Sequence, residues 1–266
     1  MFLADYHMHT NFSIDSEAPM EDMIVSAINK GMNEVAITDH VDFDTKYYPV
    51  PDYTNYIPYF NNLREKYKDK IKITFGVEIG LENRWADAIN EFTNKYDFDF
   101  IIGSSHATKT LDLYFDQKKY FENKTKKEAY TIYFEEIFKN IEACPKFNVY
   151  GHIDYISRYG IYKDNSLEYK DYSDLIDACL KSLIKKNKGI EVNTSGFRYG
   201  IECTYPSLTI LKRYKELGGE IITAGSDSHK PKDVADHIKY AYELIREAGF
   251  EYISVFRKQK AEFIKI

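Results

Sequence analysis

Residues 34–40 read Glu-Val-Ala-Ile-Thr-Asp-His, and the fold turns on that stretch: a short, partly β-branched apolar run that ends on a histidine. Runs of this length bounded by polar segments read as buried strands. The same pattern recurs along the chain. His7 and His9 follow Phe2-Leu3-Ala4-Asp5-Tyr6. Glu78 closes KITFGVE (72–78), His106 closes FDFIIGSSH (98–106) and His152 closes FNVYGH (147–152). Asp227 and His229 close EIITAGSDSH (220–229). Strands are therefore expected near 2–6, 34–39, 72–78, 98–104, 147–151, 189–194 and 220–225. Helical patterns fall between them, at 20–30, 54–69, 84–95, 118–143, 171–187, 206–217 and 234–248. Pro19 and Gly31 bracket the first of these as start and stop signals.

Repeated strand–helix alternation without a Gly/Ser/Pro-rich linker predicts one parallel-stranded α/β domain over 1–266. Seven strands suggest a closed or distorted barrel, with YISVF (252–256) as a short extra strand. An open doubly wound sheet is the alternative. Such a sheet gathers its site near one switch point, whereas here candidate ligands end nearly every strand, which favours the barrel.

Composition narrows the function. The 266-residue chain carries a formal charge of -6, with 44% hydrophobic and 29% charged residues, and a pI near 5.7. Those values predict a soluble protein and argue against a dedicated nucleic-acid binder. No apolar run approaches the roughly 20 residues of a transmembrane helix, and MFLADYHMHT at the start does not read as a secretory signal. The three cysteines, Cys144, Cys179 and Cys203, show no CxxC spacing, which agrees with a reducing compartment and a cytoplasmic location.

Each motif has a bland reading when taken alone. His7 and His9 alternate at a strand end, so both rings face one side, and two imidazoles there can share a cation. Asp39 could simply orient His40. Glu78 could belong to a structural ion pair, because a lone buried carboxylate is costly. His106 and His152 could each be a satisfied core histidine. Their joint occurrence with the Asp227-Ser228-His229 pair points instead to imidazoles and carboxylates converging on one cavity, as a polynuclear metal site. His237, within the last helical pattern, is expected to be a mid-helix surface residue outside that set.

In order along the chain, HMH (7–9), DH (39–40), GVE (76–78), SSH (104–106), GH (151–152) and SDSH (226–229) resemble the signature of the PHP superfamily, named for polymerase and histidinol phosphatase. The match spans nearly the whole chain. The resemblance implies a distorted seven-stranded (β/α)7 barrel with three divalent ions (zinc, manganese or iron) at the C-terminal strand ends. The segments ADYHMHTNFSIDS, GVEIG and SSH look most like the monofunctional L-histidinol-phosphate phosphatase branch. Carried over by position, one ion is held by His7, His9, Glu78 and Asp227, a second by Glu78, His106 and His152, and a third by His40, His229 and a loop residue. Many superfamily members have histidine at that loop position; this chain offers Asp15.

The activity so implied is hydrolysis of a small phosphate monoester, L-histidinol phosphate, by a metal-bridging hydroxide. Asp227, Glu78 and His229 are the catalytic candidates, with Asp227 or a nearby histidine supplying the leaving-group proton. Arginine's planar fork suits a terminal phosphate, and Arg158 and Arg198 both follow strand ends. In the loop after the second strand (41–48), Asp42 or Asp44 is expected to meet the substrate ammonium and an aromatic ring to cover the imidazole. The alternatives are a phosphoesterase of the same superfamily acting on a nucleotide or another small ester, and a non-catalytic metal-binding module.

Overall fold

The computed structural model describes residues 1–44 and 50–266. Seven strands run in parallel: β1 (Ala4–Asp5), β2 (Glu34–Ile37), β3 (Lys72–Gly80), β4 (Phe100–Ser104), β5 (Val149–Tyr150), β6 (Gly189–Asn193) and β7 (Ile222–Gly225). Each pairs with the next in chain order. The circle closes where the Tyr6 N–H donates to the Ala224 carbonyl (2.9 Å) and the His9 N–H to the Ser228 carbonyl (2.9 Å). Sequential order plus closure is a barrel and excludes the open doubly wound sheet. Between the strands lie α1 (Met20–Asn29), α2 (Tyr53–Lys66), α3 (Ala86–Lys95), α4 (Gln117–Phe121), α5 (Lys126–Ala143), α6 (Ser173–Lys185), α7 (Leu208–Glu216) and α8 (Ile238–Glu247).

Two features of β3 shape the barrel mouth. After a break at Thr38-Asp39, the line of β2 resumes at His40-Val41, which pairs in register with Glu78-Ile79. His40 and Glu78 are thereby neighbours at that mouth. Along β3 the side chains alternate, so Gly76, Glu78 and Gly80 share one face while Val77 and Ile79 are fully buried against the other. A Cβ at Gly80 would stand 1.8 Å from the Asp42 carboxylate oxygen; glycine there leaves room for that carboxylate.

The structure departs from the sequence reading in two places. The long pattern at 118–143 is two helices. Asn123 turns the chain with a φ of 58°, and a capping box between Thr125 and Glu128 restarts it as α5. The last pattern does not begin until Ile238. Ala235 and His237 have φ of 57° and 54°, and the Ala235 N–H donates to the Asp5 carboxylate at 2.8 Å, holding the segment out of helical form. His237 is thus not mid-helix; it caps α8 from outside, exposed, with its ring stacked on Phe197 at 4.2 Å. The extra strand expected at 252–256 is present and lies outside the barrel. β8 (Tyr252–Arg257) pairs antiparallel with β9 (Lys260–Lys265).

That hairpin is fastened at the opposite end of the barrel from the histidines. The Arg257 guanidinium grips buried Glu34 at the start of β2 with two bonds of 2.6 Å. The hydroxyls of Tyr6 and Thr74 also donate to Glu34, and the Phe256 N–H donates to the Tyr6 hydroxyl at 2.9 Å. Removing one partner of such a pair leaves the other desolvated and unanswered. Glu34→Ala is expected to lower the unfolding free energy by about 3 kcal/mol in urea titration. A change below about 1 kcal/mol would show that the hairpin is not held by this network.

Candidate metal centre

At the barrel mouth the side chains of every histidine except His237 converge. The ring of His9 lies 4.2 Å from that of His40 and 4.1 Å from that of His229. The ring of His7 lies 5.0 Å from that of His9, as expected for alternate residues at a strand end. Glu78 stands between two sets of imidazoles. Its Oε1 faces His152 Nε2 (2.9 Å) and His106 Nε2 (3.2 Å). Its Oε2 faces His7 Nε2 (3.1 Å), His40 Nδ1 (3.1 Å) and His9 Nε2 (3.5 Å). Asp227 Oδ1 lies 3.4 Å from His9 Nε2 and 3.7 Å from His229 Nδ1. Asp15 Oδ2 lies 3.0 Å from His229 Nε2 and 3.5 Å from His40 Nε2. Several triads of these residues bring their donor atoms within 4.8 Å of one another, among them His7–His9–Asp227, Glu78–His106–His152 and His9–His40–His229.

The chemistry of these donors fits cations. Two of the rings have their tautomer set from behind. His7 donates its Nδ1–H to Glu191 at 2.6 Å, and His106 donates its Nδ1–H to Asp42 at 3.1 Å. Each Nε2 faces the Glu78 carboxylate. Burial pulls both rings down, but the carboxylates around them, Glu191 first for His7 and Asp42 first for His106, raise both above the usual imidazole value. Without a cation each therefore meets Glu78 as an imidazolium, and a cation between them would be met by neutral rings instead. His7 Nε2, His9 Nε2, His229 Nε2 and Glu78 Oε2 are shielded from solvent and make no hydrogen bond, which is costly without such a partner. The electrostatics agree. Burial pushes the Glu78 and Asp227 carboxyls up, but the imidazoles around them, His7 foremost, hold both well below the usual carboxylate range. Burial and the neighbouring His229 and His40 push His9 well below the usual imidazole value, so it stays neutral, as a metal ligand must.

The supporting residues only partly match the sequence reading. Asp39 does not orient His40. Its carboxylate accepts from the Thr10 N–H (2.6 Å), the Thr10 hydroxyl (2.9 Å), the Ser13 hydroxyl (2.8 Å) and the Tyr56 hydroxyl (2.9 Å). Ser13 Oγ in turn accepts from His9 Nδ1–H (3.1 Å) and the His40 N–H (3.0 Å), so Asp39 acts on the histidines through the loop after β1. Asp42 lies against His106 rather than at an open loop tip. Asp44 accepts from Arg84 Nη2 at 3.0 Å. Of the aromatic groups expected in that loop, Tyr47 and Tyr48 lie outside the described residues.

Arg198 turns back onto the strand end. Its Nη2 donates to the carbonyls of Ser226 and Asp227, both at 2.6 Å, bracing Asp227 in its left-handed conformation (φ 52°). The Arg158 guanidinium lies over the Tyr199 ring at 3.2 Å, with Tyr155 and Tyr159 also within 5.6 Å. Burial lowers its pKa, but those phenols and Asp227 outweigh burial and raise it. Glu191, which holds His7, was missed from sequence. The signal was present: a carboxylate in the middle of Gly189–Asn193, a run otherwise fit for a buried strand, raises the same question that Glu78 raised.

A parallel α/β barrel that gathers imidazoles and carboxylates from its strand ends around shielded, unanswered donor atoms belongs to the class of metal-dependent hydrolase barrels. More specifically, the chain belongs to the PHP domain family, whose model matches residues 5–195. It is 36% identical over 263 residues to the histidinol-phosphatase of Lactococcus lactis subsp. lactis (strain IL1403), covering 97% of this chain and 96% of that protein. It is 34% identical to a probable histidinol-phosphatase of Clostridium acetobutylicum, over 93% and 94% of the two chains. A crystal structure of the Lactococcus lactis histidinol phosphate phosphatase, complexed with zinc, L-histidinol and phosphate, matches with a TM-score of 0.91 at 33% identity over 98% of each chain. The seven-stranded barrel and the family resemblance read from the sequence both hold. Among the described residues no helix is long and apolar enough to cross a membrane.

Proposed function

We propose that the chain, acting as one domain over 1–266, is a metal-dependent histidinol-phosphatase that hydrolyses L-histidinol phosphate to L-histidinol and phosphate. The observation that carries the reading is Glu78, one oxygen facing His106 and His152 and the other facing His7 and His9, on a scaffold shared with an enzyme that binds zinc, L-histidinol and phosphate. The reading assigns His7, His9, Glu78 and Asp227 to one divalent ion, Glu78, His106 and His152 to a second, and Asp15, His40 and His229 to a third. Zinc is favoured over manganese or iron because the relative binds it. Bound ions of this kind neutralise phosphoryl oxygens and lower the pKa of water to about 7.

The chain's own residues do the rest. Arg158, held face-on by Tyr199, is assigned to the terminal phosphate oxygens. Arg198 serves the same end less directly, since its Nη2 fixes the carbonyls that set Asp227. Asp227 or His229 supplies or accepts the proton that the leaving alkoxide needs. Asp42 retains one carboxylate oxygen without a hydrogen bond, which suits it to the substrate ammonium while its other oxygen holds His106. The net charge of -6 favours a small ester over nucleic acid, and free cysteines at 144, 179 and 203 agree with the cytoplasm.

The test is a substrate panel. Purified protein loaded with zinc should show kcat/KM for L-histidinol phosphate at least roughly tenfold above that for nucleoside monophosphates and p-nitrophenyl phosphate. Preference for a nucleotide would overturn the assignment while leaving the metal centre standing.

A further inference from the structure

The geometry points to Glu191 as a positioning residue that sets ligands of two different metal ions at once: His7 through its ring and His152 through its backbone. The inference rests on the metal assignment under Proposed function. Glu191 lies on β6 and is 1% exposed. Its Oε1 accepts from His7 Nδ1–H at 2.6 Å. Its Oε2 accepts from the His152 backbone N–H at 3.0 Å and from Asn193 Nδ2 at 3.1 Å. His152 sits at a φ of 24°, where few non-glycine residues rest, so a bond to its N–H fixes a conformation the chain does not favour. From there His7 Nε2 reaches Glu78 Oε2 (3.1 Å) and His152 Nε2 reaches Glu78 Oε1 (2.9 Å). Glu191 behind and Glu78 in front thus clamp the same two histidines.

The next strand is shaped to this contact. A Cβ at Gly225 would stand 2.4 Å from Glu191 Oε1 and 2.4 Å from His7 Cβ, so glycine there is what lets the carboxylate and the ring meet. A glutamine cannot reproduce the clamp. With its oxygen toward His7, its NH2 meets the His152 N–H donor to donor. With the amide reversed, the NH2 meets His7 Nδ1 and forces the proton onto Nε2, which removes the lone pair from the metal side.

The experiment measures metal, not turnover. Zinc affinity of the full chain is read by competition with a chromophoric chelator and stoichiometry by elemental analysis, with circular dichroism as the check on folding. Glu191→Gln is expected to bind zinc roughly 10- to 100-fold more weakly than the wild type. Gly225→Ala, which keeps Glu191 but crowds its contact with His7, should shift affinity the same way. Folded variants with wild-type zinc affinity and stoichiometry would overturn the inference and reduce Glu191 to a strand-packing residue. A readout that needs no variant is the 15N NMR of the zinc-loaded wild type. His7 should be protonated at Nδ1 and metal-bound through Nε2, and the opposite tautomer overturns the inference even if both variants fail to fold. If the wild type itself takes up no zinc, the metal reading and this inference fall together; if the wild type loads and the variants load equally well, only Glu191 falls.

Discussion

Glu78→Gln should lower kcat for L-histidinol phosphate by at least two orders of magnitude (~100-fold) with the barrel intact. The substitution keeps shape and volume, so the packing of β3 against β4, where Glu78 is in register with Ile102, is undisturbed. What changes is the pair of oxygens. In the native chain Oε1 accepts from Ser104 Oγ at 2.6 Å and faces His106 and His152, while Oε2 faces His7, His9 and His40. An amide has one oxygen and one NH2 group. In either orientation it turns donor hydrogens toward imidazole nitrogens on one side, and it removes the negative charge that lets the site hold more than one cation. Circular dichroism should match the wild type, and elemental analysis should show fewer bound ions per chain. Near-normal turnover would make Glu78 structural only. His237→Ala is the matching control: exposed and stacked on Phe197, away from the cluster, it should leave kcat unchanged.

The barrel was legible because its strands are buried on both faces. A parallel strand wrapped by helices reads as a continuous apolar run, and Glu34–Ile37, Phe100–Ser104 and Gly189–Asn193 are buried along their whole length. The ligand set was legible for a related reason: a strand end is a fixed place in a barrel, so HxH and DxH spacings translate into side chains on one side. Local chemistry set the limits. The break between α4 and α5 depends on a capping box at Thr125 that a periodicity count passes over. The late start of α8 depends on Asp5 reaching Ala235, far along the chain. The supporting carboxylates were harder still. Asp42 reaches His106 across β3, and Glu191 reaches His7 across β7, so both contacts depend on how the barrel closes, and neither partner can be chosen from spacing along one sequence. Asp39 shows the same limit at short range. It stands next to His40, yet its bonds go to Thr10, Ser13 and Tyr56, because the loop after β1 folds back over it.

Complete metal removal should abolish phosphatase activity and lower the melting temperature by about 10 °C or more. The activity loss stems from leaving the phosphoryl oxygens without positive charge and the attacking water without a cation to lower its pKa. The stability loss stems from what the cluster becomes without cations. Glu78 and Asp227 are buried carboxylates whose low pKa depends on positive charge from His7 and its neighbours, whereas His9 is pushed toward neutrality by His229 and His40. Protons can therefore answer some of these carboxylates, but only by charging imidazoles that stand 4–5 Å from one another, which repel. A divalent ion supplies the charge at the point where the lone pairs converge and leaves the rings neutral. Ligand linkage gives the scale: a site at about a thousand times its Kd contributes about 4 kcal/mol, and in a protein of this size each kcal/mol is worth about 2–4 °C. The measurement is differential scanning calorimetry of protein dialysed against a strong chelator, then of the same sample after stepwise addition of zinc, manganese or iron, with phosphatase activity followed in parallel. Melting temperature and turnover should recover together as ions are added. Full activity in metal-free protein would sink the metal reading. Lost activity with an unmoved melting temperature would show instead that Asp39, Asp42 and Glu191 hold the histidines in place without help from the ions.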